Sequence, residues 1–241
     1  MQLDDSLLNE FLQESREHLA SIESDLLAME EAGAAADDAL VNKVFRAAHS
    51  IKGGAGFFSL ITIQKLAHRL ENALDMIRDK EMVATPEVVN ILLLGFDRLR
   101  DLINAPAASE TMEIEDMVVA LTGLAASHLP EGEKQTLAAP VALPASPGQP
   151  RLVQLSQFDL KHATKGGKHI FLLDFDLLHD VHRRGRSPWS VFKELMSCGT
   201  VLDCAWDLDT VGTLDDEPAN AIPFQVLYGT VLEADLITNL V

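Results

Sequence analysis

Apolar residues recur at steps of three and four along the segment 4–128, and this period restricts that half of the chain to helices. An α-helix has about 3.6 residues per turn, so side chains at these steps share one face. The period predicts helices over 4–30, 38–54, 62–80, 86–104 and 113–128. Because the connecting loops are short, consecutive helices should pack antiparallel. The first half is therefore predicted to be an all-α bundle of four long antiparallel helices plus a fifth.

One histidine of the second predicted helix, His49, has unusual neighbours. On a helical wheel it lies about 140° from the apolar stripe, which predicts an imidazole that points to solvent. Gly53 and Gly56 lie on its face, beside Gly54, and Lys52 lies one turn further on, towards the core. Glycine inside a helix costs about 0.5–1 kcal/mol relative to alanine, so the glycines need a reason. We interpret them as access for a partner's active site, with Lys52 as a cation beside any anion on the ring.

The residues around His49 carry a family resemblance. The run His-Ser-Ile-Lys-Gly-Gly-Ala at 49–55, preceded by Phe-Arg-Ala-Ala, resembles the phosphoacceptor motif of histidine phosphotransfer (Hpt) domains, above all the amino-terminal Hpt domain of CheA-type chemotaxis histidine kinases. The resemblance covers 4–128 and implies the same helical bundle. It also implies that His49 accepts a phosphoryl group from the ATP-binding domain of a CheA-type kinase. His49 would then pass that group to an aspartate of a CheY-like response-regulator receiver.

A polar stripe lies opposite the core face of the third predicted helix and consists of Gln64, His68, Glu71 and Asp75. Taken alone, such a stripe is typical of a solvated face. The family resemblance implies instead that Lys52, His68 and Glu71 form a hydrogen-bonded cluster with His49. Glu71 would accept a bond from one ring nitrogen of His49. That bond would fix the tautomer and leave the other nitrogen, Nε2 by the family pattern, able to take the phosphoryl group.

The composition changes in the middle of the chain. Five of the ten prolines lie between Pro130 and Pro150, and the apolar period is lost there. This predicts a linker over 130–150 that separates an Hpt bundle at 1–129 from a second domain at 151–241.

The second domain has the order strand, helix, strand, strand, helix. Strands are predicted over 169–175, 200–206 and 222–228, the first helix begins after Ser187, and an acidic loop at 215–217 precedes the third strand. This order predicts a small α/β, ferredoxin-like open-faced sandwich. The pattern resembles, more weakly, the accessory domain that follows Hpt in many CheA proteins, which implies a receiver-docking role. The histidine-rich loop 179–186 contains His179 and His182, which show no ligand spacing, and this favours a solvated turn over a docking or metal patch.

The charge and the cysteines restrict the partners and the location. Nineteen Lys and Arg against 37 Asp and Glu give a net charge of −18, which argues against nucleic acid or an anionic membrane as partner. The sequence has no apolar run long enough to insert into a membrane. Cys198 and Cys204 form no metal-ligand pattern and are interpreted as reduced thiols of a cytoplasmic protein.

The chain shows no glycine-rich nucleotide loop and no ATP-domain motif, which predicts a phosphohistidine carrier without a cofactor of its own. ATP and Mg²⁺ would then belong to the partner kinase and receiver. Whether the chain is an enzyme stays open; we expect a fragment of a longer CheA-like kinase, with a free-standing phosphorelay protein as the alternative. Two further functions compete: a degenerate Hpt-like module for protein interaction, and a metal-binding bundle that uses His49, His68 and Glu71.

Overall fold

The computed structural model describes residues 5–132, 134–137, 139–143, 152–207, 221–238 and 240. The chain forms two compact units, 1–137 and 138–241. The predicted acidic loop at 215–217 and the predicted linker residues 144–150 lie outside the described part. No helix in the described ranges is long and apolar enough to cross a membrane.

The first unit is helical, as the apolar period predicts. Its α-helices are α1 (Asp5–Leu19), α2 (Ile22–Ala32), α3 (Asp38–Phe57), α4 (Ile61–Arg78), α5 (Pro86–Asn104) and α6 (Glu115–His128). Local signals set several helix starts. The Asp37 carboxylate accepts the Ala39 amide at the start of α3, and the Thr85 side chain accepts the Val88 amide at the start of α5. Pro86 follows Thr85 at the first helical position, where a missing amide proton costs nothing.

The helix predicted over 4–30 is two helices, α1 and α2, which break after Leu19. Ser21 precedes α2, and its hydroxyl donates to the Asp25 carboxylate at 2.7 Å. Arg100 of α5 donates to the Leu19 carbonyl, which the break leaves without a helical partner. The break therefore follows from a serine that favours a helix start and from a contact with α5 that the apolar period does not reveal.

The core of the first unit is centred on α3 and α4, which a three-residue turn joins. Both helices bury most of their predicted apolar stripe, although Leu40 at the start of α3 is only half-buried. Fully shielded side chains on α3 are Val44, Ala48, Ile51 and Ala55, and those on α4 are Ile63, Leu66, Leu70 and Leu74. This packing fixes the faces of α3 and α4 that carry His49 and Glu71.

Several residues of the predicted linker are ordered, contrary to the expectation of a patternless segment over 130–150. Leu137 is buried at the end of a short 3₁₀ helix in the first unit. Val141 and Leu143 pack against the core of the second unit, and the Val141 amide donates to the Leu155 carbonyl at 2.8 Å. Single apolar residues between prolines carry no period, so only the cores that they enter reveal their place.

The second unit contains a three-stranded antiparallel sheet. Its strands are β1 (His169–Asp176), β2 (Thr200–Trp206) and β3 (Pro223–Thr230), in the order β1-β3-β2. Because β3 is antiparallel to both neighbours, β1 and β2 are parallel to each other. The helix α8 (Pro188–Cys198) connects them. The predicted order of elements is confirmed, as is a small sheet with helices.

The central strand β3 is buried on both faces. On one face, Leu227 packs with Val153 and Leu155. On the other face, the Tyr228 hydroxyl donates to the Leu195 carbonyl of α8 at 2.8 Å, and burial raises the pKa of Tyr228 to about 12. The sheet therefore has apolar cover on both sides within this unit.

Two local features of the second unit were not predicted. A short helix α7 (Gln157–Ala163) begins at Ser156, which exchanges capping-box bonds with Asp159. In the histidine-rich loop, His179 Nδ1 bonds the carboxylate of Asp176, which also accepts the Leu178 and Ile222 amides. The last predicted helix corresponds to the short α9 (Ala234–Thr238), which follows β3.

Candidate functional site

The site is built on the contact between α3 and α4. His49 lies in the middle of α3, and its Nδ1 is 2.8 Å from Oε1 of Glu71 on α4. A carboxylate can only accept a hydrogen bond, so Nδ1 must carry the proton. In the neutral imidazole, the lone pair then belongs to Nε2. The structure thus defines the tautomer of His49 through one long-range contact.

Lys52 occupies the other oxygen of the same carboxylate. Its Nζ lies 2.7 Å from Oε2 of Glu71, one helical turn beyond His49 on α3. Glu71 is therefore held from both oxygens by two residues of one helix, and its carboxylate cannot rotate without breaking one of the contacts. His68 lies one turn earlier on α4, and its charge acts on Glu71 as well.

The three side chains are buried, which corrects the prediction that His49 points to solvent. Of the polar stripe on α4, Glu71 and Asp75 are buried, whereas Gln64 and His68 are half-buried. His49 is 7% exposed, Lys52 4% and Glu71 5%. The helical wheel measures angles from one apolar stripe, and α3 is also covered by α1, α2 and α4. A side chain outside the stripe can thus still face a neighbouring helix.

The ionisation of Glu71 reflects this packing. Burial by itself raises the pKa of a carboxyl group, but the positive charge of Lys52, the charge of His49 and the His49 hydrogen bond together lower the pKa of Glu71 to about 2. The carboxylate is therefore charged at neutral pH although it is buried. A charged Glu71 keeps the proton on Nδ1 of His49.

The second ring nitrogen of His49, Nε2, differs from Nδ1 in its hydrogen bonding. Nε2 is shielded from solvent and makes no hydrogen bond to any described residue. A buried polar atom without a partner costs about 1–3 kcal/mol, so such atoms are rare and call for an explanation. An unbound lone pair on a fixed imidazole is what a nucleophile needs.

The positions of the glycines do not fit their predicted role in partner access. Gly53, Gly54 and Gly56 are all buried. A Cβ added to Gly54 would lie 2.3 Å from Cε2 of Phe11 on α1, closer than van der Waals contact allows. Gly54 therefore permits the close approach of α1 and α3.

One residue outside the predicted site, Phe45, lies next to the imidazole, and a second, Arg78, contacts Phe45. The Phe45 ring is nearly parallel to the ring of His49, and the Arg78 guanidinium lies over the Phe45 ring. The spacing of four residues between Phe45 and His49 could have suggested the first contact. Nothing in the sequence places Arg78 there, because it comes from the far end of α4.

Comparisons with known proteins found a matching family model and several relatives. The family model described as "Hpt domain" matches residues 6–121. The chemotaxis protein CheA of Rhizobium meliloti is 31% identical over 219 residues, which cover 85% of this chain and 28% of the relative. The chemotaxis protein CheA of Cereibacter sphaeroides is 44% identical over 99 residues, or 40% of this chain and 14% of the relative. This chain thus spans less than a third of either relative.

A solved structure is also similar to part of the chain. The phosphorylated P1 domain of CheA3, in complex with CheY6 from R. sphaeroides, is 26% identical, with a TM-score of 0.46. The match covers 52% of this chain and 99% of that one.

Proposed function

Residues 6–121 belong to the Hpt domain family, and on that premise we propose that the chain is the phosphohistidine carrier of CheA-type chemotaxis signalling. His49 accepts a phosphoryl group from the ATP-binding domain of a CheA-type kinase and passes it to an aspartate of a CheY-like receiver. The observation that carries this proposal is the Glu71 contact, which places the proton on Nδ1 and leaves Nε2 unbound.

The transfer is two displacements at phosphorus. The Nε2 lone pair attacks the γ-phosphorus of ATP held by the donor; the N–P bond forms, the bond to the β,γ-bridging oxygen breaks, and ADP leaves with those electrons. A carboxylate oxygen of the receiver aspartate then attacks the same phosphorus. The N–P bond breaks, and its electron pair returns to Nε2. No proton needs to move at His49 in either step.

Glu71 and Lys52 support the charged intermediate. Phosphorylation of Nε2 while Nδ1 keeps its proton makes the imidazole cationic, and the Glu71 carboxylate at 2.8 Å stabilises that charge. Lys52 keeps Glu71 ionised and in place. ATP and Mg²⁺ are assigned to the kinase and receiver partners.

Access to Nε2 requires a local movement, since the atom is shielded. We assign this movement to docking of the partner domain, whose phosphate groups would enter beside Lys52. The burial also limits hydrolysis, because water reaches the ring poorly.

The geometry argues against the two competing functions. A degenerate interaction module would have no need of an assembled His49–Glu71–Lys52 contact. A metal site on His49, His68 and Glu71 would place a cation next to the Lys52 ammonium, which already pairs with Glu71 at 2.7 Å.

A labelling experiment tests the function. The chain is incubated with a CheA-type kinase domain and ATP labelled at the γ-phosphate, and His49→Gln is the matched variant. We expect label in the wild type alone, lost in acid as for a phosphoramidate, and no label without the kinase domain. Undiminished label in His49→Gln would contradict the proposal, and self-labelling of the purified chain would contradict the assignment of ATP to the partner.

The second unit is proposed to be a ferredoxin-like, receiver-docking domain. Two observations support this: β3 lies between the parallel strands β1 and β2, as in a split β-α-β unit, and the similarity to the R. meliloti CheA covers a larger share of the chain than 1–137. Docking would raise the local concentration of the receiver near His49. We further propose a cytoplasmic location, since Cys198 and Cys204 are thiols.

The docking role is tested by transfer to the receiver. At low receiver concentration, transfer from the full chain should be faster than from residues 1–137, and calorimetry should detect receiver binding to residues 138–241. Equal rates and no binding heat would leave the second unit a spacer.

A further inference from the structure

The imidazole of His49 makes a second contact, on its face. The Phe45 ring, one turn earlier on α3, lies 6.0 Å from the imidazole between centroids, with 6° between the ring planes. This is an offset parallel arrangement, within the range that aromatic pairs prefer. The Phe45 side chain is itself buried.

Arg78, the last residue of α4, holds the phenyl ring. Its guanidinium carbon is 4.1 Å from the Phe45 centroid, close enough for a cation–π contact. The same guanidinium pairs with the buried carboxylate of Asp75 on α4. Phe45 is thus fixed between its own helix and the end of the next.

We infer that Phe45, held by Arg78, is a positioning residue that sets the plane of the His49 ring. The inference rests on the proposed phosphotransfer and adds a residue to it. The bond to Glu71 fixes one ring atom, Nδ1, about which the ring can still tilt. A flat group against the ring face removes that freedom.

The ring plane matters because the Nε2 lone pair lies in it. Attack on phosphorus needs this lone pair in line with the bond that breaks, so a tilted ring misdirects the nucleophile. Glu71 therefore determines which nitrogen reacts, whereas Phe45 determines the direction in which it points.

The test compares two Phe→Leu changes in the full chain. Phe45→Leu keeps an apolar side chain but removes the flat face. Phe96→Leu makes the same change at a fully buried ring on α5 that has no ring contact with His49 among the described residues. Phe45→Tyr restores the flat face, and Arg78→Gln removes the cation that holds the ring.

The quantity to measure is phosphoryl uptake from a CheA-type kinase domain with ATP, with kcat and KM determined separately for each variant. Phe45→Leu should lower kcat about 10-fold with little change in KM, because misorientation affects the chemical step. Arg78→Gln should lower kcat about threefold, by the same reasoning. Phe45→Tyr and Phe96→Leu should remain near the wild-type kcat, although Phe96→Leu should melt earlier.

Nitrogen-15 NMR of the His49 ring supplies a readout independent of phosphotransfer. Phe45→Leu should keep the Nδ1–H tautomer but show greater ring mobility than the wild type and Phe96→Leu. A wild-type kcat in folded Phe45→Leu, or equal losses in the two Leu variants, would overturn the inference. If Phe45→Leu does not fold, the inference is tested by comparing Arg78→Gln with Phe96→Leu in kcat and in the mobility of the His49 ring. Failure of the wild type to accept phosphate would overturn the proposed function instead, while the NMR comparison would still test Phe45.

Discussion

Lys52 and Glu71 form a buried ion pair, and this changes what a substitution at Glu71 should do. An exposed carboxylate can be removed at a cost within about 0.5 kcal/mol. Here Lys52 and Glu71 are both almost fully shielded. Removal of one charge would leave the other buried without compensation, which costs about 3–5 kcal/mol.

We therefore predict that Glu71→Gln unfolds at lower urea concentration, with a loss of about 3–5 kcal/mol in unfolding free energy. Phosphoryl uptake by the folded fraction should also fall, because a neutral amide stabilises the cationic ring less. The double variant Glu71→Gln with Lys52→Met should be more stable than Glu71→Gln alone, since no unpaired charge is left. Urea unfolding of the wild type, Glu71→Gln and the double variant measures these differences in unfolding free energy. A Glu71→Gln protein as stable as the wild type would show that the pair contributes nothing to the fold.

The depressed pKa of Glu71 also predicts a dependence of stability on pH. The pKa is about 2 in the folded protein, against an ordinary value of 4.5. Between these values the unfolded chain binds the proton more tightly, so stability falls as pH decreases. The contribution is fully present above pH 4.5, is lost towards pH 2, and is on the order of 3 kcal/mol.

Unfolding free energy measured between pH 7 and pH 2.5 tests this dependence. Glu71→Gln should have a shallower decline than the wild type over the acid range. Glu115→Gln is the control, because Glu115 is an exposed carboxylate that pairs with Lys65 on the surface. Its pH profile should follow the wild type. Identical slopes for the wild type and Glu71→Gln would contradict the prediction.

At the scale of helices, Gly54 determines how closely α1 approaches α3. A Cβ at this position would lie 2.3 and 2.4 Å from two ring carbons of Phe11. A phenyl ring is rigid, so Gly54→Ala must shift the whole Phe11 ring or move α1 away from α3. Overpacking of this kind costs about 1–3 kcal/mol.

Gly123 on α6 is the matched control. A Cβ there would meet nothing within 4 Å. Gly123→Ala should therefore stabilise the bundle by about 0.5–1 kcal/mol through helix propensity, whereas Gly54→Ala should destabilise it. Urea unfolding of both variants checks the opposite signs. If Gly54→Ala were as stable as the wild type but slow in phosphoryl uptake, the partner-access interpretation of the glycines would be favoured again.

At the scale of the whole chain, the boundaries of the two units can be tested by truncation. Leu137 is buried in the first unit, so a fragment 1–129 lacks a side chain whose burial contributes about 1.5–3 kcal/mol. We predict that 1–137 is more stable than 1–129 by up to that amount. Leu137→Ala within 1–137 should reproduce most of the difference. Equal stability of the two fragments would instead support the domain boundary at residue 129 that the sequence predicts.

The same reasoning applies to the second unit. Val141 and Leu143 pack on its core, so 138–241 should be more stable than 151–241. In the full chain, calorimetry should resolve two transitions that match those of 1–137 and 138–241, because each unit has its own core. A single transition distinct from both would contradict independent folding.

The sequence by itself determined the features that depend on local chemistry. The step of three and four between Val44 and Ile51, or between Ile63 and Leu74, is a property of the helix, and the structure buries those residues as predicted. Caps such as Thr85 with Pro86 act within one turn, so they too could be predicted. The motif around His49 predicts a phosphoacceptor because the residues that carry the resemblance are contiguous.

Tertiary structure decided what depends on residues far apart in the chain. The burial of His49, the depressed pKa of Glu71 and the place of Arg78 over Phe45 all arise where α3 meets α4, and a helical wheel describes one helix without its neighbours. The apolar period likewise could not show that Gly54 faces Phe11 or that Leu137 enters a core. Local patterns fix which elements form, whereas packing between elements fixes which side chains leave water, and hence the charge and the reactivity of the site.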